Sequence, residues 1–241
     1  MTGLQLVREE FLRMIDHTLL RPEATRGDVK RLCREAVACG FGAVCVNPAY
    51  VPVAARELAG SPVRVCTVVG FPLGATSTAA KVAEVKCAVA DGAVEFDVVL
   101  NIGALKDREL PYLENELGEV VAAAREAGRG ALVKVILETA LLTGEEKLLG
   151  CRLAVGGGAD FVKTSTGFGP GGATAADVRL LRSAVGTKLG VKAAGGIRDL
   201  ATALEMIAAG ANRIGTSSGV KIFREWETGA AGAGREGVER N

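Results

Sequence analysis

Short runs of β-branched residues alternate with longer helical patterns along nearly the whole chain. We predict strands at IDHTL (15–19), AVCVN (43–47), VRVCTVV (63–69), VEFDVVL (94–100), LVKVILE (132–138), DFVKT (160–164), GVKAAG (190–195) and NRIGTS (212–217). Helical patterns lie between them over 28–39, 49–59, 76–90, 108–127, 144–155, 174–185 and 199–209. Strands joined by helices pair in parallel through right-handed crossovers, because a parallel pair needs a long connection.

Eight such units in 241 residues predict an α/β fold, a single-domain (β/α)8 TIM barrel, since barrels of this kind take about 250 residues. An open doubly wound sheet would require a fingerprint such as GxGxxG after the first strand, and the sequence has none there. We expect the barrel to span 1–228, and the Gly/Ala-rich segment 229–241 to form a frayed tail. The helix boundaries are marked by Asp28 and Thr174 at starts and by Gly40, Gly60, Gly92, Gly128 and Gly210 at ends.

Charge and composition argue against several classes of function. The chain carries 29 basic and 28 acidic residues, so it has no electrostatic footprint for nucleic acid or for a membrane surface. The N-terminus lacks the pattern of a signal peptide, and no apolar run reaches the roughly 18 residues of a membrane helix. Six cysteines without a CxxC pair and a single histidine predict reduced, buried thiols in a cytoplasmic protein, and no zinc site of the usual kind.

Ionisable residues interrupt four of the predicted strands. Asp97, Lys134, Lys163 and Lys192 lie inside strand patterns, and Glu138 closes the fifth. One interpretation is a structural ion-pair network within the barrel. The other is a nucleophilic amine, because a neighbouring ammonium group and an apolar wall both disfavour protonation of a lysine. Lowering a lysine pKa from about 10.4 to about 7 costs about 4 kcal/mol, and such an amine can form a Schiff base with a carbonyl compound.

Three glycine- and hydroxyl-rich segments predict a phosphate site. They are TGFGPGG (166–172), AAGGIR (193–198) and GTSSG (215–219). The last two follow strands seven and eight, where barrel enzymes commonly hold a phosphate against backbone N–H groups. The alternative is that these glycines only make tight turns.

A set of motifs in the same order resembles the deoxyribose-phosphate aldolase family. They are DHTLL (16–20), VCVNP (44–48), EFDVVLNIG (95–103), VKVILE (133–138), FVKTSTGF (161–168), VKAAGGIR (191–198) and GTSSG (215–219). The resemblance implies a (β/α)8 barrel that reversibly cleaves 2-deoxy-D-ribose 5-phosphate to acetaldehyde and D-glyceraldehyde 3-phosphate. It also implies class I aldol chemistry, which needs no metal and no cofactor.

The resemblance assigns a role to individual residues. Lys163 would be the Schiff-base nucleophile, neutral much of the time, and Lys192 the second lysine that keeps it deprotonated. Asp97 would move protons through a water, and Asp16 would hold Lys192. The phosphate and substrate would contact Gly167, Gly195, Gly196, Ser217, Ser218, Thr166 and Cys45, with Arg198 as a longer-range helper. For Cys45, packing in the core is the favoured alternative.

Other residues and the assembly receive weaker assignments. Lys134 and Glu138 are expected to support the site from the barrel wall, and His17 to be a packed core histidine. Some relatives have a C-terminal tyrosine that assists proton transfer and a lysine in the loop after Gly167; this chain ends GVERN and has FGPGG in that loop. We expect small sugar-phosphate and aldehyde substrates and a homodimer or homotetramer.

Three other functions fit parts of the same pattern. A transaldolase-like Schiff-base enzyme would use a different sugar phosphate. A phosphate-binding barrel isomerase would use paired carboxylates and no covalent amine. A non-catalytic sugar-phosphate binder would tolerate the loss of Lys163.

Overall fold

Eight parallel strands form a closed barrel in the order in which they occur along the chain. The computed structural model describes residues 6–126 and 130–233. The strands are β1 Ile15–Leu19, β2 Ala43–Val46, β3 Arg64–Val69, β4 Glu95–Val99, β5 Leu132–Ile136, β6 Phe161–Lys163, β7 Gly190–Ala194 and β8 Arg213–Thr216. Pairing of β1 with β8 closes the barrel, which confirms the predicted fold class.

Helices connect the strands and surround the barrel. They are α1 Arg8–Arg13, α2 Arg26–Cys39, α3 Val51–Glu57, α4 Thr78–Asp91, α5 Ile102–Lys106, α6 Leu110–Arg125, α7 Gly144–Gly156, α8 Ala175–Val185, α9 Leu200–Ala208 and α10 Gly219–Ala233. Short 3-10 turns occupy Pro48–Tyr50 and Thr139–Leu141. No described helix combines the length and the hydropathy that a membrane span requires.

Several helix boundaries differ from the prediction. The first turn of α2 is capped by Thr25, whose side chain and Asp28 form a reciprocal capping box, so the helix begins before Asp28. The pattern over 108–127 corresponds to α6 alone, and α1, α5 and α10 were not predicted. α10 continues to Ala233, beyond the expected domain boundary at residue 228. The rest of the expected tail and Gly128 lie outside the described residues.

Alternation along the strands separates an outer apolar layer from a polar interior. In β4, Phe96 and Val98 belong to the large core between strands and helices. Asp97, which lies between them, contacts lysines inside the barrel. Because successive side chains of a strand point to opposite faces, a charged residue at every second position can coexist with a continuous apolar core.

The cysteines follow the same division, with one exception. Cys45 and Cys66 belong to a small apolar cluster with Leu20, Ala43 and Val68, and five of the six cysteines are buried. Cys87 on α4 is exposed, so the expectation of a buried thiol is wrong at that position.

Candidate active site

Three lysines and one aspartate meet at the centre of the barrel. The Nζ atoms of Lys163 and Lys192 each lie 2.7 Å from Oδ2 of Asp97. The Nζ atom of Lys134 lies 2.9 Å from the other carboxylate oxygen. Strand register produces this cluster, because Asp97 pairs with Lys134 and Lys163 pairs with Lys192 across adjacent strands.

A second layer of charged side chains contacts this cluster on the amino-terminal side of the barrel. Asp16 on β1 accepts a hydrogen bond from Lys192 at 2.5 Å and another from Nε of Arg213 at 2.9 Å. Arg213 also donates to Glu95 at 2.6 Å, and Lys134 lies 2.7 Å from the same glutamate. Strands β1, β4, β5, β7 and β8 are therefore joined by one buried ionic network.

The network favours the ionised forms of Asp97 and Lys192. Burial would raise the pKa of Asp97, but Lys134, Lys163 and Lys192 together hold it well below the usual range. Burial also opposes the charged form of Lys192, yet Asp16 and Asp97 raise its pKa above the usual value. A charge without a partner would be far too costly at this depth. The interpretation of the charges as an ion-pair network is therefore correct for most of them, although it does not exclude a reactive lysine at their edge.

Lys163 differs from the other two lysines in its access to a cavity. A cavity of about 310 Å³ opens at the carboxyl-terminal end of the barrel, and among the described residues Lys163 lines it whereas Lys134 and Lys192 do not. The side chain of Lys163 is only 3% exposed. A molecule that enters the cavity can therefore contact the amine of Lys163, which lies at the floor of the cavity.

Loops after β1, β6, β7 and β8 form the walls of this cavity. Gly167, Gly195 and Gly196 line it and have φ values of 87°, 90° and 80°, a region that favours glycine. Ser217 and Thr166 add hydroxyls, and Arg21 and Arg198 add two guanidinium groups. Backbone N–H groups, hydroxyls and arginines together suit a phosphate group.

Not every residue predicted for substrate binding reaches the cavity. Cys45 is completely buried and, like Ser218, is not among the described residues that line it. The backbone N–H of Ser218 donates to Oγ1 of Thr216 at 2.9 Å. Thr166 lines the cavity, but its own N–H and hydroxyl are both directed at the carboxylate of Glu138.

Glu138 does not occupy the position predicted from the sequence. β5 ends at Ile136, so Glu138 does not close that strand and is not part of the barrel wall. It lies in the following turn, where it contacts the loop after β6. The prediction failed because the sequence pattern of the strand continues through Leu137 to Glu138, whereas the backbone turns at Glu138 into the left-handed region and enters the 3-10 turn Thr139–Leu141.

Sequence analysis missed several members of the site. Glu95, Arg213 and Cys66 lie inside predicted strands. Glu95 is two residues before Asp97 in β4, and Arg213 pairs with Lys192 in the register of β7 and β8. Their position within strands was therefore a usable signal. Arg21 directly follows the DHTLL motif (16–20), where it lines the cavity.

Thiol and carboxylate groups also approach one another in two sets that resemble metal ligands. Cys45, Cys66 and Asp97 form one set, and Asp16, Cys66 and Glu95 form the other. Lys134 already supplies a cation to both, since its Nζ lies 3.4 Å from Sγ of Cys66 and 2.7 Å from Glu95. These residues therefore do not fit a metal site.

Among the described residues, one amine lies at the floor of a glycine-lined cavity in a (β/α)8 barrel, an arrangement that suits an enzyme of the Schiff-base class. Comparison with known proteins gives the particular family: residues 11–225 match the DeoC/LacD family aldolases, and the chain belongs to this family.

Individual relatives cover most of the chain. A deoxyribose-phosphate aldolase of Thermococcus kodakarensis is 59% identical over 89% of this chain and 96% of its own length. One of Caldanaerobacter subterraneus is 54% identical over 92% of this chain and 97% of its own length. Among solved structures, a deoxyribose phosphate aldolase of Aeropyrum pernix, described as a unique tetramer, has a TM-score of 0.85 at 36% identity and covers 92% of this chain and 93% of its own.

Proposed function

We propose that this chain catalyses the reversible cleavage of 2-deoxy-D-ribose 5-phosphate to acetaldehyde and D-glyceraldehyde 3-phosphate through a Schiff base on Lys163. The observation that carries the proposal is the position of Lys163. Its amine ends at the floor of the cavity and shares a carboxylate oxygen with Lys192. The names of relatives at 54–59% identity support the choice of substrate.

Formation of the covalent bond begins at the aldehyde carbon of the substrate. The neutral amine of Lys163 attacks this carbon to give a carbinolamine, which loses water to give an iminium ion. Lys192 keeps its proton because Asp16 and Asp97 raise its pKa against the effect of burial. Its positive charge disfavours a second ammonium group beside it. Asp97 contacts both amines and is placed to move protons through a water molecule.

Cleavage follows from the electron demand of the iminium ion. The bond between C2 and C3 breaks, its electron pair passes to C2 and toward the iminium nitrogen, and an enamine forms. The hydroxyl on C3 loses its proton and becomes the aldehyde of glyceraldehyde 3-phosphate. Protonation of C2 restores the iminium ion, and hydrolysis releases acetaldehyde and the free amine. These steps balance without a redox partner.

Two arginines supply charge to the proposed phosphate subsite. The loop after Gly167 contains no lysine, whereas Arg21 and Arg198 line the cavity from other loops. The guanidinium group of Arg21 lies 3.2 Å from Glu23 and 3.4 Å from Asp28. Because its side chain is 48% exposed, it can turn from these acids to an entering dianion at little cost.

Substitution Arg21→Gln should raise KM for the phosphorylated substrate about two- to fivefold, as expected for an exposed charge pair. Steady-state assays with 2-deoxyribose 5-phosphate and with 2-deoxyribose measure the effect, which should be absent for the second sugar. The matched control is Arg31→Gln, because Arg31 pairs with the same Asp28 at 2.5 Å but is not among the described residues that line the cavity. Equal effects of the two substitutions would count against a phosphate contact by Arg21.

We further propose that the enzyme acts in the cytoplasm as a homodimer or homotetramer. The tetramer described for the Aeropyrum pernix relative supports assembly, and the buried free thiols suit a reducing compartment. Light scattering on the purified protein should give a mass of two or four chains at micromolar concentration. A mass of one chain at micromolar concentration would contradict the proposed assembly.

Product analysis tests the proposed reaction. Incubation with 2-deoxyribose 5-phosphate should release acetaldehyde and glyceraldehyde 3-phosphate in equal amounts, and borohydride should inactivate the enzyme only when substrate is present. Trapping of an adduct without cleavage of this sugar would retain the Schiff base but change the substrate. Cleavage that borohydride leaves unaffected would overturn the covalent mechanism.

A further inference from the structure

Glu138 is buried in a backbone conformation that few non-glycine residues adopt. Its φ and ψ angles are 53° and 64°, in the left-handed region, and its exposure is 3%. Both features carry a free-energy cost, one from the backbone and one from the burial of a carboxylate. Such a residue persists where the surrounding structure holds it in place, and it often marks a functional element.

Hydrogen bonds on both sides hold Glu138 at the end of β6. The backbone N–H of Leu137 donates to the carbonyl of Lys163 at 2.9 Å, and that of Thr139 donates to the carbonyl of Thr164 at 2.9 Å. The chain segment that contains Glu138 is thus fixed to the residue that carries the proposed nucleophile and to its successor. From this left-handed turn, the carboxylate of Glu138 contacts Thr166 in the loop that follows β6.

The carboxylate organises the loop between Thr166 and Ala173. Its Oε2 atom accepts a hydrogen bond from the backbone N–H of Thr166 at 3.1 Å and another from the Thr166 hydroxyl. The Thr166 hydroxyl oxygen in turn accepts from the N–H of Phe168 at 3.1 Å. Gly169 lies against the same carboxylate, because a Cβ at this position would be 2.8 Å from Cδ of Glu138.

The other end of the loop contacts Gly195, the residue that directly follows β7. The backbone N–H of Ala173 donates to the carbonyl of Gly195 at 3.0 Å, and a Cβ at Gly172 would lie 2.3 Å from that oxygen. The loop is therefore anchored on Glu138 at one end and on Gly195 at the other, and Gly167 lines the cavity between these two supports. Loss of either support would allow Gly167 to move relative to Gly195 and Gly196.

We propose that Glu138 is a positioning residue that sets the loop 166–173 in the shape that accepts the phosphate of the substrate. By binding both donors of Thr166, it makes Thr166 part of the loop's framework and leaves the backbone around Gly167 to contact the anion. The other oxygen, Oε1, has no hydrogen-bond partner among the described residues. This inference rests on the proposed function, since it presupposes a phosphorylated substrate.

Kinetics with and without the phosphate group test the inference. Glu138→Ala should raise KM for 2-deoxyribose 5-phosphate about tenfold or more, with kcat changed much less, because the phosphate contacts stabilise the bound substrate and the transition state alike. The kcat/KM value for 2-deoxyribose should stay near that of the wild type. Glu138→Gln keeps an acceptor oxygen and should restore most of the affinity. Glu145→Ala, which removes a glutamate whose side chain is 74% exposed, is the matched control.

A second variant covers the case in which Glu138→Ala does not fold. Gly169→Ala leaves Glu138 in place but inserts a methyl group against its carboxylate, so it should produce the same loss of affinity selective for the phosphorylated sugar. Equal losses on both sugars in every folded variant, or wild-type kinetics in Glu138→Ala, would overturn the inference. The proposed function fails separately, if the wild-type enzyme cleaves neither sugar and acetaldehyde with borohydride labels no lysine.

Discussion

Replacement of Lys163 by methionine should abolish turnover, with a loss of about 10⁴-fold or more in kcat, because Lys163 is the one lysine among the described residues that line the cavity. Methionine matches the length and apolar stem of lysine, so the change removes the amine with little loss of packing. The variant should also fail to acquire a borohydride-trapped two-carbon adduct from acetaldehyde, as measured by peptide mass mapping. In the wild type, that adduct should appear on the peptide that contains Lys163.

An ion pair between two outer helices provides a control for this substitution. Lys147 on α7 lies 2.6 Å from Asp177 on α8, away from the described cavity lining, and Lys147→Met should retain both activity and labelling. An adduct on Lys192 in the wild type would reverse the proposed roles of the two lysines. Residual turnover within tenfold of the wild type in Lys163→Met would contradict an amine mechanism at this position.

Replacement of Asp97 by asparagine should reduce both activity and stability by large factors. We expect kcat to fall about 10²–10⁴-fold, the range for loss of a group that transfers protons. We also expect unfolding free energy at neutral pH to fall by about 3–5 kcal/mol, because the loss of a buried charge leaves its partners uncompensated. The Nζ atoms of three lysines lie within 2.9 Å of this carboxylate. Urea unfolding and steady-state assays measure the two effects separately.

The effect on stability should depend on pH in a definite direction. The three lysines hold the pKa of Asp97 well below its ordinary value although burial acts against them. A carboxyl group of this kind contributes stability above its unfolded pKa of about 4, and the contribution is lost as pH falls through the folded pKa. The difference between wild type and Asp97→Asn should thus be largest near neutral pH and shrink in acid. Asp177→Asn is the control, and a difference that grows on acidification would contradict the assigned charge state.

The sequence was sufficient to predict the barrel because its local signals agree with one another. β1 was predicted to the residue at 15–19, and Thr174 was recognised as a helix cap. Asp97 lies inside the predicted strand 94–100, and the structure places its side chain among the lysines inside the barrel. Thr25 and Asp28 are both good capping residues, so the choice between them required the hydrogen bonds of the capping box.

The details of the site depend on features that no local pattern contains. Which inward residues reach the cavity is set by the stagger of the strands around the barrel; Lys163 reaches it and Cys45 does not. The left-handed turn at Glu138 has no marker in a sequence that reads as strand up to that residue. Arg21 and Thr166 lie on two loops far apart in the sequence, which meet around the cavity in the folded barrel. For these residues, only the closed fold determines the neighbours.

Because the barrel closes through its first and last strands, the lysine amine can become reactive toward aldehydes only late in folding. Asp16 is separated from Lys192 by 176 positions and from Arg213 by 197, and these contacts form only when the first and last strands meet. A chain that is still being synthesised therefore carries its lysines without the electrostatic partners that tune them. Nascent or truncated molecules should react with aldehydes no faster than ordinary peptides, so covalent capture of a carbonyl compound reports that folding is complete.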